Sequence, residues 1–519
     1  MYGGLTLPIK IGQRVAVGFD GYEIPDELRA YVKSHHLGNF ILFSRNIRDS
    51  AQLRALCDNL QALAISANGV PAFISVDQEG GTVARLPEDA TVLPGAMCVG
   101  ASPDPEDAFR VGQIMGRELR ALGINLNHAP CADVNSNPAN PVIGVRSFGD
   151  SPETVGRLAA RMIRGMAESG VLSCAKHFPG HGDTSEDSHL SLPCVEKSLQ
   201  ELEACELVPF AAAIGAGVPT MMTAHIRFPQ IEPEAIPATM SRRIITGLLK
   251  QKMGYTGLVL SDCMMMKAIA DHYGTVEGTV AALAAGVDMV YICHDAKLAA
   301  KACDAAAEAL AAGRLSAAEM EQSAAKILAY KQNLPPAGTE ISAVGCDAHR
   351  QTAREIAGRG LTLLRPPSGT CPPLGDSPLF LGCAPFRVSL ASDPENRSVS
   401  FPYVMREALG GEAVIISPEL GAEEIAGIVR QAAGHSAVVI GTYNGHLRTG
   451  QLELVRALAA LGAPLICVAL GGPYDLMDLP ENVTRIAAFA YNAQTLAAVA
   501  SLLAGGISPA GRLPVRSGN

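Results

Sequence analysis

VLSCAKHFPGHGDTSEDSH, residues 171–189, opens as a buried β-strand and closes as a polar loop. The run Val171–Ala175 is short and apolar, as a strand buried in a sheet is, and Lys176 and His177 stand where it ends. Cationic, imidazole and carboxylate groups therefore collect on one strand end and the loop beyond it. A solvated surface loop has no need of His177, His181 and His189 interleaved with carboxylates and glycines. A site that moves protons and grips hydroxyls does.

Working outward, the same pattern of an apolar run with a polar end recurs. Strands are predicted over Arg14–Phe19, Gly38–Ser44, Pro71–Asp77, Ile124–Val134, Val171–His177, Thr220–Ile226, Gly257–Asp262 and Val287–His294. Between them, helical periodicity marks Ala51–Ser66, Glu106–Leu122, Pro152–Ser169, Leu199–Ile214 and Arg242–Lys252. About eight such βα units are the pattern of a (β/α)8 barrel, whose site lies at the carboxyl ends of the strands. The polar residues obey that rule: Asp77, His128, Asp133, Lys176, His177, His225 and Asp262 all fall late in successive strands. Any one of them could be a cap or a loop residue, but unrelated caps would not gather so often at one end.

After the helical stretch Ser316–Gln332, Asn333-Leu334-Pro335-Pro336-Ala337-Gly338 has the composition of a linker. The boundaries expected are a barrel over 1–334, a linker over 335–348 and a second α/β domain over 349–519. In that second region strands are predicted over Leu361–Leu364, Leu379–Gly382, Ala413–Ser417, Ala437–Thr442, Leu465–Leu470 and Ile486–Tyr491. Helical stretches Ala422–Ala433, Leu452–Ala460 and Ala493–Leu503 alternate with them, which gives a smaller, mostly parallel sheet flanked by helices, an α/β/α sandwich.

The bulk numbers narrow the class. A chain of 519 residues with 48% hydrophobic and 18% charged residues is globular, and its net charge of −10 gives no footprint for nucleic acid. The 13 cysteines are odd in number and contain no C-x-x-C pair, which points to reduced thiols in a cytoplasmic protein. Neither a secretion signal nor a bilayer-spanning run is visible, so no membrane partner is expected. Tryptophan is absent and aromatics total 5%, so a sugar ligand would be held by hydrogen bonds to one or two rings rather than by stacking platforms.

Asp262 follows the apolar Gly257–Ser261, so its carboxylate should point into the barrel mouth, where it can attack an electrophilic carbon. As an isolated residue it could equally be an N-cap. In Asp187-Ser188-His189 the carboxylate can orient the imidazole and favour its protonated form, a dyad able to protonate a leaving group. A surface turn would use the same residues. His181, Asp183, Asp187 and His189 are also plausible zinc or manganese ligands, but their spacing matches no regular motif and Lys176 beside them would oppose a cation. The expectation is a site without metal or other cofactor.

Asp77 and Arg85, with Gly80 and Gly81 between them, can join Lys176 and His177 in hydrogen-bonding adjacent hydroxyls of a pyranose. A salt bridge across the barrel rim would account for the Asp77 and Arg85 pair as well. The loop 135–149 is long and rich in turn formers, and Arg146 near its end is its candidate functional residue.

DQEGGTVARL (77–86), NSNPANPVIGVRSFGD (135–150), KHFPGHGDTSEDSH (176–189), TAHIRFP (223–229) and GLVLSDCMMMKAI (257–269) together resemble glycoside hydrolase family 3. They resemble specifically its bacterial β-N-acetylglucosaminidase branch associated with cell-wall muropeptides. GTYN (441–444), ALGGPYDL (469–476) and GRLPV (511–515) are similar, more loosely, to the accessory domain of two-domain members. The resemblance implies that Asp262 is the nucleophile and that His189, paired with Asp187, is the acid/base. It implies further that Asp77, Arg85, Arg146, Lys176 and His177 bind the non-reducing N-acetylglucosamine, and that the reaction runs in two steps with retention. Two departures are Cys263, where the family often has an acidic or small residue, and His128, where an aromatic is common.

Three other readings stay open at this point. A neutral histidine would not repel phosphate, so a β-N-acetylglucosaminide phosphorylase is one. A β-glucosidase or xylosidase of the same family is another, and a sugar-binding protein without turnover is the third.

Overall fold

The computed structural model describes residues 4–188, 191–336, 340–364, 370–386 and 399–516. His189, the imidazole expected to handle the proton, lies outside the described residues.

Eight strands close into a parallel barrel: β1 (Val15–Val17), β2 (Asn39–Leu42), β3 (Phe73–Val76), β4 (Leu126–Asn127), β5 (Leu172–Phe178), β6 (Thr220–Thr223), β7 (Leu258–Cys263) and β8 (Met289–Ile292). Closure comes from β1 pairing with β8, Ala16 against Tyr291. Strand alternation sorts the side chains into two cores. Ala16, Ile41, Phe73, Leu126, Met222, Leu258, Leu260 and Met289 fill the lumen. Their neighbours Val15, Val17, Phe40, Leu42, Ile74, Val76, Val259 and Val290 pack outward against the helices. A period of two in the strands thus supplies both cores at once.

The helices between strands begin on side-chain caps: Asp49 accepts from Gln52 N, Ser151 from Thr154 N and Asp295 from Leu298 N. Three local expectations are corrected. The strand expected over Ile124–Val134 pairs regularly only at Leu126–Asn127, because Pro130 has no amide to donate; beyond it the ladder resumes as single contacts such as Ala132 N to Lys176 O at 2.7 Å. The helix expected over Leu199–Ile214 is two helices, Leu199–Ala204 and Leu207–Gly215, since Pro209 cannot bond back to Cys205. The stretch Arg243–Lys252 is helical but wound as a π-helix, with Met253 N reaching Leu248 O at 2.9 Å.

The second sheet holds β9 (Thr362–Leu364), β10 (Pro378–Cys383), β11 (Glu412–Ile416), β12 (Ala437–Thr442), β13 (Leu465–Ala469) and β14 (Val483–Ala487). Their order is β11-β10-β12-β13-β14-β9, all pairs parallel except β14 with β9. Helices Asp347–Gly360, Phe401–Leu409 and Ala493–Leu503 pack together, and Ala422–Ala432 pairs with Gly450–Ala459. The last strand sits earlier than the expected Ile486–Tyr491, and the chain leaves it through Phe489 in the left-handed region, φ 62°.

The two domains share packing. Met97, Cys98 and Ala101 of the barrel belong to the core of the second domain, while Ala353 and Ile356 of the helix Asp347–Gly360 belong to the barrel's outer core. Glu118 is one of the polar ties between them. It is buried and accepts from Thr91 N at 2.9 Å, Gly345 N at 3.0 Å and His349 Nδ1 at 2.8 Å. Among the described residues no helix is long and apolar enough to cross a membrane.

Candidate active site

The carboxyl ends of the barrel strands enclose a cavity of about 510 Å³, of the size that holds a small ligand. Its wall includes Asp77, Glu79, Arg85, His128, Arg146, Lys176, His177 and Asp262. Six of these were anticipated, Asp77, Arg85, Arg146, Lys176, His177 and Asp262, and the closed barrel brings them together from four separate segments.

One buried network organises the floor. Lys176 Nζ, from the end of β5, donates to Asp77 Oδ1 at 2.7 Å and reaches Glu79 Oε1 at 2.6 Å. Arg146 meets Glu79 side-on, Nε to Oε2 at 2.9 Å and Nη2 to Oε1 at 2.8 Å, the two-point geometry that a guanidinium makes best. Burial pushes the Glu79 carboxyl up, but Arg146 and Lys176 outweigh it and hold the group at about 2. The same balance holds Asp77 well below the usual carboxylate range, with Lys176 the main counter-charge, and keeps Lys176 above the usual lysine value. All four groups stay ionised in a place where none would be so alone.

A second network lies behind the first. Asp133, fully buried, accepts His177 Nδ1 at 2.7 Å, His177 N at 3.1 Å and His181 N at 2.7 Å. With Nδ1 donating to Asp133, His177 presents Nε2 as the acceptor, 3.5 Å from Arg146 Nη2. Cys131 Sγ also donates to Asp133, at 3.2 Å, and burial together with Asp133 pushes that thiol well above its ordinary value. Cys131, Asp133 and His177 offer ligand-type atoms within 4.8 Å of one another. Their protons already occupy Asp133, so a cation there would have to displace two hydrogen bonds.

Of the candidate metal ligands on the loop, His181 and Asp183 have other partners. His181 spends both ring nitrogens on hydroxyls, Nδ1 with Thr184 Oγ1 and Nε2 with Ser188 Oγ, each at 2.9 Å. Burial, then the neighbouring His177, lowers its pKa to about 4. Asp183 pairs with Lys197 at 3.2 Å. Ser188 bonded to His181 fixes the residue next to Asp187, so His181 shapes the loop on which the expected proton donor sits. His225 lies against β7, Nδ1 on Thr239 Oγ1 at 2.8 Å and Nε2 on the Cys263 carbonyl at 3.0 Å. His128 bonds Tyr291 OH at 3.0 Å and turns Nδ1 toward Asp77 Oδ1 at 3.6 Å.

Asp262 is partly exposed, with Oδ1 accepting Cys263 N at 2.6 Å. Register shifts explain two placements. The pairing of β5 with β6 slips between Ala175 and Phe178, which lets adjacent Lys176 and His177 both serve the mouth. The pairing of β7 with β8 slips between Leu260 and Cys263, at the end of β7 that carries Asp262.

The chain matches the family model described as the glycosyl hydrolase family 3 N terminal domain over residues 6–330. This chain belongs to glycosyl hydrolase family 3. It is 39% identical, with a TM-score of 0.91 and 99% of both chains covered, to a glycoside hydrolase family 3 beta-N-acetylglucosaminidase from Paenibacillus sp. str. FPU-7. It is 38% identical over 365 residues to beta-hexosaminidase A of Pseudoalteromonas piscicida, matching 65% of this chain and 61% of that protein's length. NagZ from Neisseria gonorrhoeae, solved in complex with N-trifluoroacetyl-D-glucosamine, is 32% identical with a TM-score of 0.57 and corresponds to 66% of this chain and 97% of its own.

Two site residues of this family 3 chain escaped the sequence reading. Glu79 was quoted but given no role, and Asp133 was noted only as a strand-end residue. A signal existed for both. Asp77 and Glu79 are two apart after β3, as are Cys131 and Asp133 beyond β4, the spacing that puts side chains on one face of extended backbone.

Proposed function

We propose that this protein is a retaining exo-β-N-acetylglucosaminidase that removes non-reducing N-acetylglucosamine from peptidoglycan fragments. The observation that carries the reading is the shared cavity. A half-buried carboxylate, Asp262, faces the same space as a preformed clamp of Asp77, Glu79, Arg85, Arg146, Lys176 and His177. The names of the Paenibacillus and Pseudoalteromonas relatives support the sugar.

In the first step Asp262 attacks the anomeric carbon, a glycosyl–carboxylate bond forms and the bond to the leaving oxygen breaks. His189, oriented by Asp187, gives that oxygen its proton. In the second step the same imidazole takes a proton from water, whose oxygen attacks the anomeric carbon from the face the leaving group vacated; the glycosyl–carboxylate bond breaks, Asp262 is released as the carboxylate, and configuration is retained. The clamp needs little rearrangement to bind, because its charged groups are already paired and fixed. Unpaired thiols at all 13 cysteines support a reducing compartment, the cytoplasm.

The test compares 4-nitrophenyl β-glycosides of N-acetylglucosamine, glucose and xylose, each with and without inorganic phosphate. Release of free N-acetylglucosamine as the β-anomer in the first NMR spectra is the expected result, with the other two sugars poor substrates. Formation of N-acetylglucosamine 1-phosphate would replace hydrolysis by phosphorolysis, and sugar binding without release would leave a binding protein. Asp262→Ala should lower turnover by about 10³-fold or more; near-normal activity removes the nucleophile assignment.

A further inference from the structure

The second domain lies behind the loop that delivers Arg146. The loop leaves the barrel after Val134 and returns at Gly149, closed at its base by Asn135 N to Gly149 O at 2.9 Å and by Ser147 Oγ to Asp133 O at 2.6 Å. On its inner side Val142 and Arg146 form part of the sugar cavity. Its tip also braces the loop after β5: Asn140 Nδ2 donates to His181 O at 2.9 Å, and Asn137 Nδ2 to Asp183 O at 3.3 Å. On its outer side it faces Asn444, His446, Gly472 and Tyr474 across a narrow cleft.

Both ends of this loop are tied to the second domain. Asn135 Nδ2 donates to Tyr474 OH at 2.6 Å. At the other end Asp150 N donates to Pro514 O at 3.0 Å, and Arg516 N donates to Asp150 Oδ2 at 2.6 Å. Gly149, φ 151°, runs so close to Pro514 that a Cβ would lie 2.3 Å from its carbonyl oxygen. The platform under Tyr474 is itself rigid. Asp475, fully buried, accepts Gly445 N at 2.9 Å, His446 N at 2.8 Å and His446 Nδ1 at 2.8 Å. The His446 ring packs on Tyr474 at 5.4 Å, and Asn444 Oδ1 accepts Gly472 N at 3.2 Å.

We infer that the second domain positions the sugar clamp, with Tyr474 holding Asn135 so that the loop presents Arg146 to Glu79 and to the substrate. The tip is braced by the loop after β5, and the ties to the second domain fix the two ends; together they set where Arg146 meets the cavity, and a hydrogen-bonding clamp loses affinity when its donors are not pre-placed. The ties are polar and specific, which suits a part that must be located rather than merely covered. Tyr474 touches no reacting atom in this account; it is a positioning residue acting through Asn135. The inference rests on the sugar-binding reading above.

The test is a pair of conservative variants, Tyr474→Phe and Asn135→Ala, and their combination, in the full-length protein. Losing one hydrogen bond of ordinary strength should raise KM for 4-nitrophenyl β-N-acetylglucosaminide, and the calorimetric Kd of free N-acetylglucosamine, together by about 5-fold in Tyr474→Phe. Turnover number should change less than about 2-fold. The double variant should bind about as weakly as the worse single one, because both remove the same tie. Unchanged KM and Kd in Tyr474→Phe, or effects that multiply in the double variant, would overturn the positioning role. So would a fall in turnover number and melting temperature with KM intact, the signature of general destabilisation. If the wild type binds N-acetylglucosamine but cleaves no aryl glycoside, the proposed activity fails while Kd still decides the inference. A wild type that binds no N-acetylglucosamine removes both.

Discussion

Among single residues, Glu79 carries the most weight in the buried site. Among the described residues it is the carboxylate that meets both Arg146 and Lys176, and its pairing keeps two buried cations compensated. Glu79→Gln would leave a neutral amide facing both. Breaking a buried ion pair from one side costs about 3–5 kcal/mol, more than most single substitutions. The variant should show that loss in chemical denaturation, along with a raised KM; a stability within 1 kcal/mol of wild type, on the order of an ordinary surface change, would contradict the compensation argument. Asp262 was legible from sequence because it ends an apolar run. The role of Glu79 was not, since nothing local says which cation a carboxylate will meet.

Elements show why some local readings failed. Pro130 and Pro209 each remove an amide, and each divides what hydropathy alone presents as one continuous element. The loop after β5 was legible in composition, and the chemistry proposed for it rests on Asp187 and His189. If His189 protonates the leaving oxygen, His189→Ala should lose far more activity on a disaccharide or alkyl glycoside than on a 4-nitrophenyl glycoside, whose leaving group needs little protonation. Equal losses on both substrates would exclude the acid role. His181 in the same loop drew notice as a possible ligand; the structure gives it Thr184 and Ser188 instead.

For the whole molecule, the buried titrating groups set how stability depends on pH. His181 has its folded-state pKa lowered to about 4 by burial, so between pH 6.5 and 4 the unfolded chain binds the extra proton. Stability then falls as pH drops through that window, with a slope of up to about 1.4 kcal/mol per pH unit. Glu79, held near 2, contributes stability present above its unfolded value of 4.5 and lost as pH falls toward 2. Asp77, Glu118, Asp133 and Asp288 are all lowered as well, and add to that second, steeper loss. Calorimetric melting temperatures should therefore decline gently below pH 6.5 and sharply below about pH 4.5. His181→Asn should flatten the upper window alone; a melting temperature constant from pH 6.5 to 3 would contradict both assignments.

The sequence by itself determined the barrel, the second, mostly parallel sheet, the family, and the segments that supply the site. Those properties are written locally: strands read as short apolar runs, and the chemistry sits where the runs end. Tertiary structure decided which groups compensate one another. Lys176 meets Asp77 and Glu79, Arg146 meets Glu79, and Asp133 meets His177, across separations in the chain that no periodicity spans. It also decided that Tyr474, far along the second domain, ties the loop of Arg146. Such pairings depend on barrel closure, strand register and domain docking, and a hydrogen bond of a few ångströms exists only once all three are set.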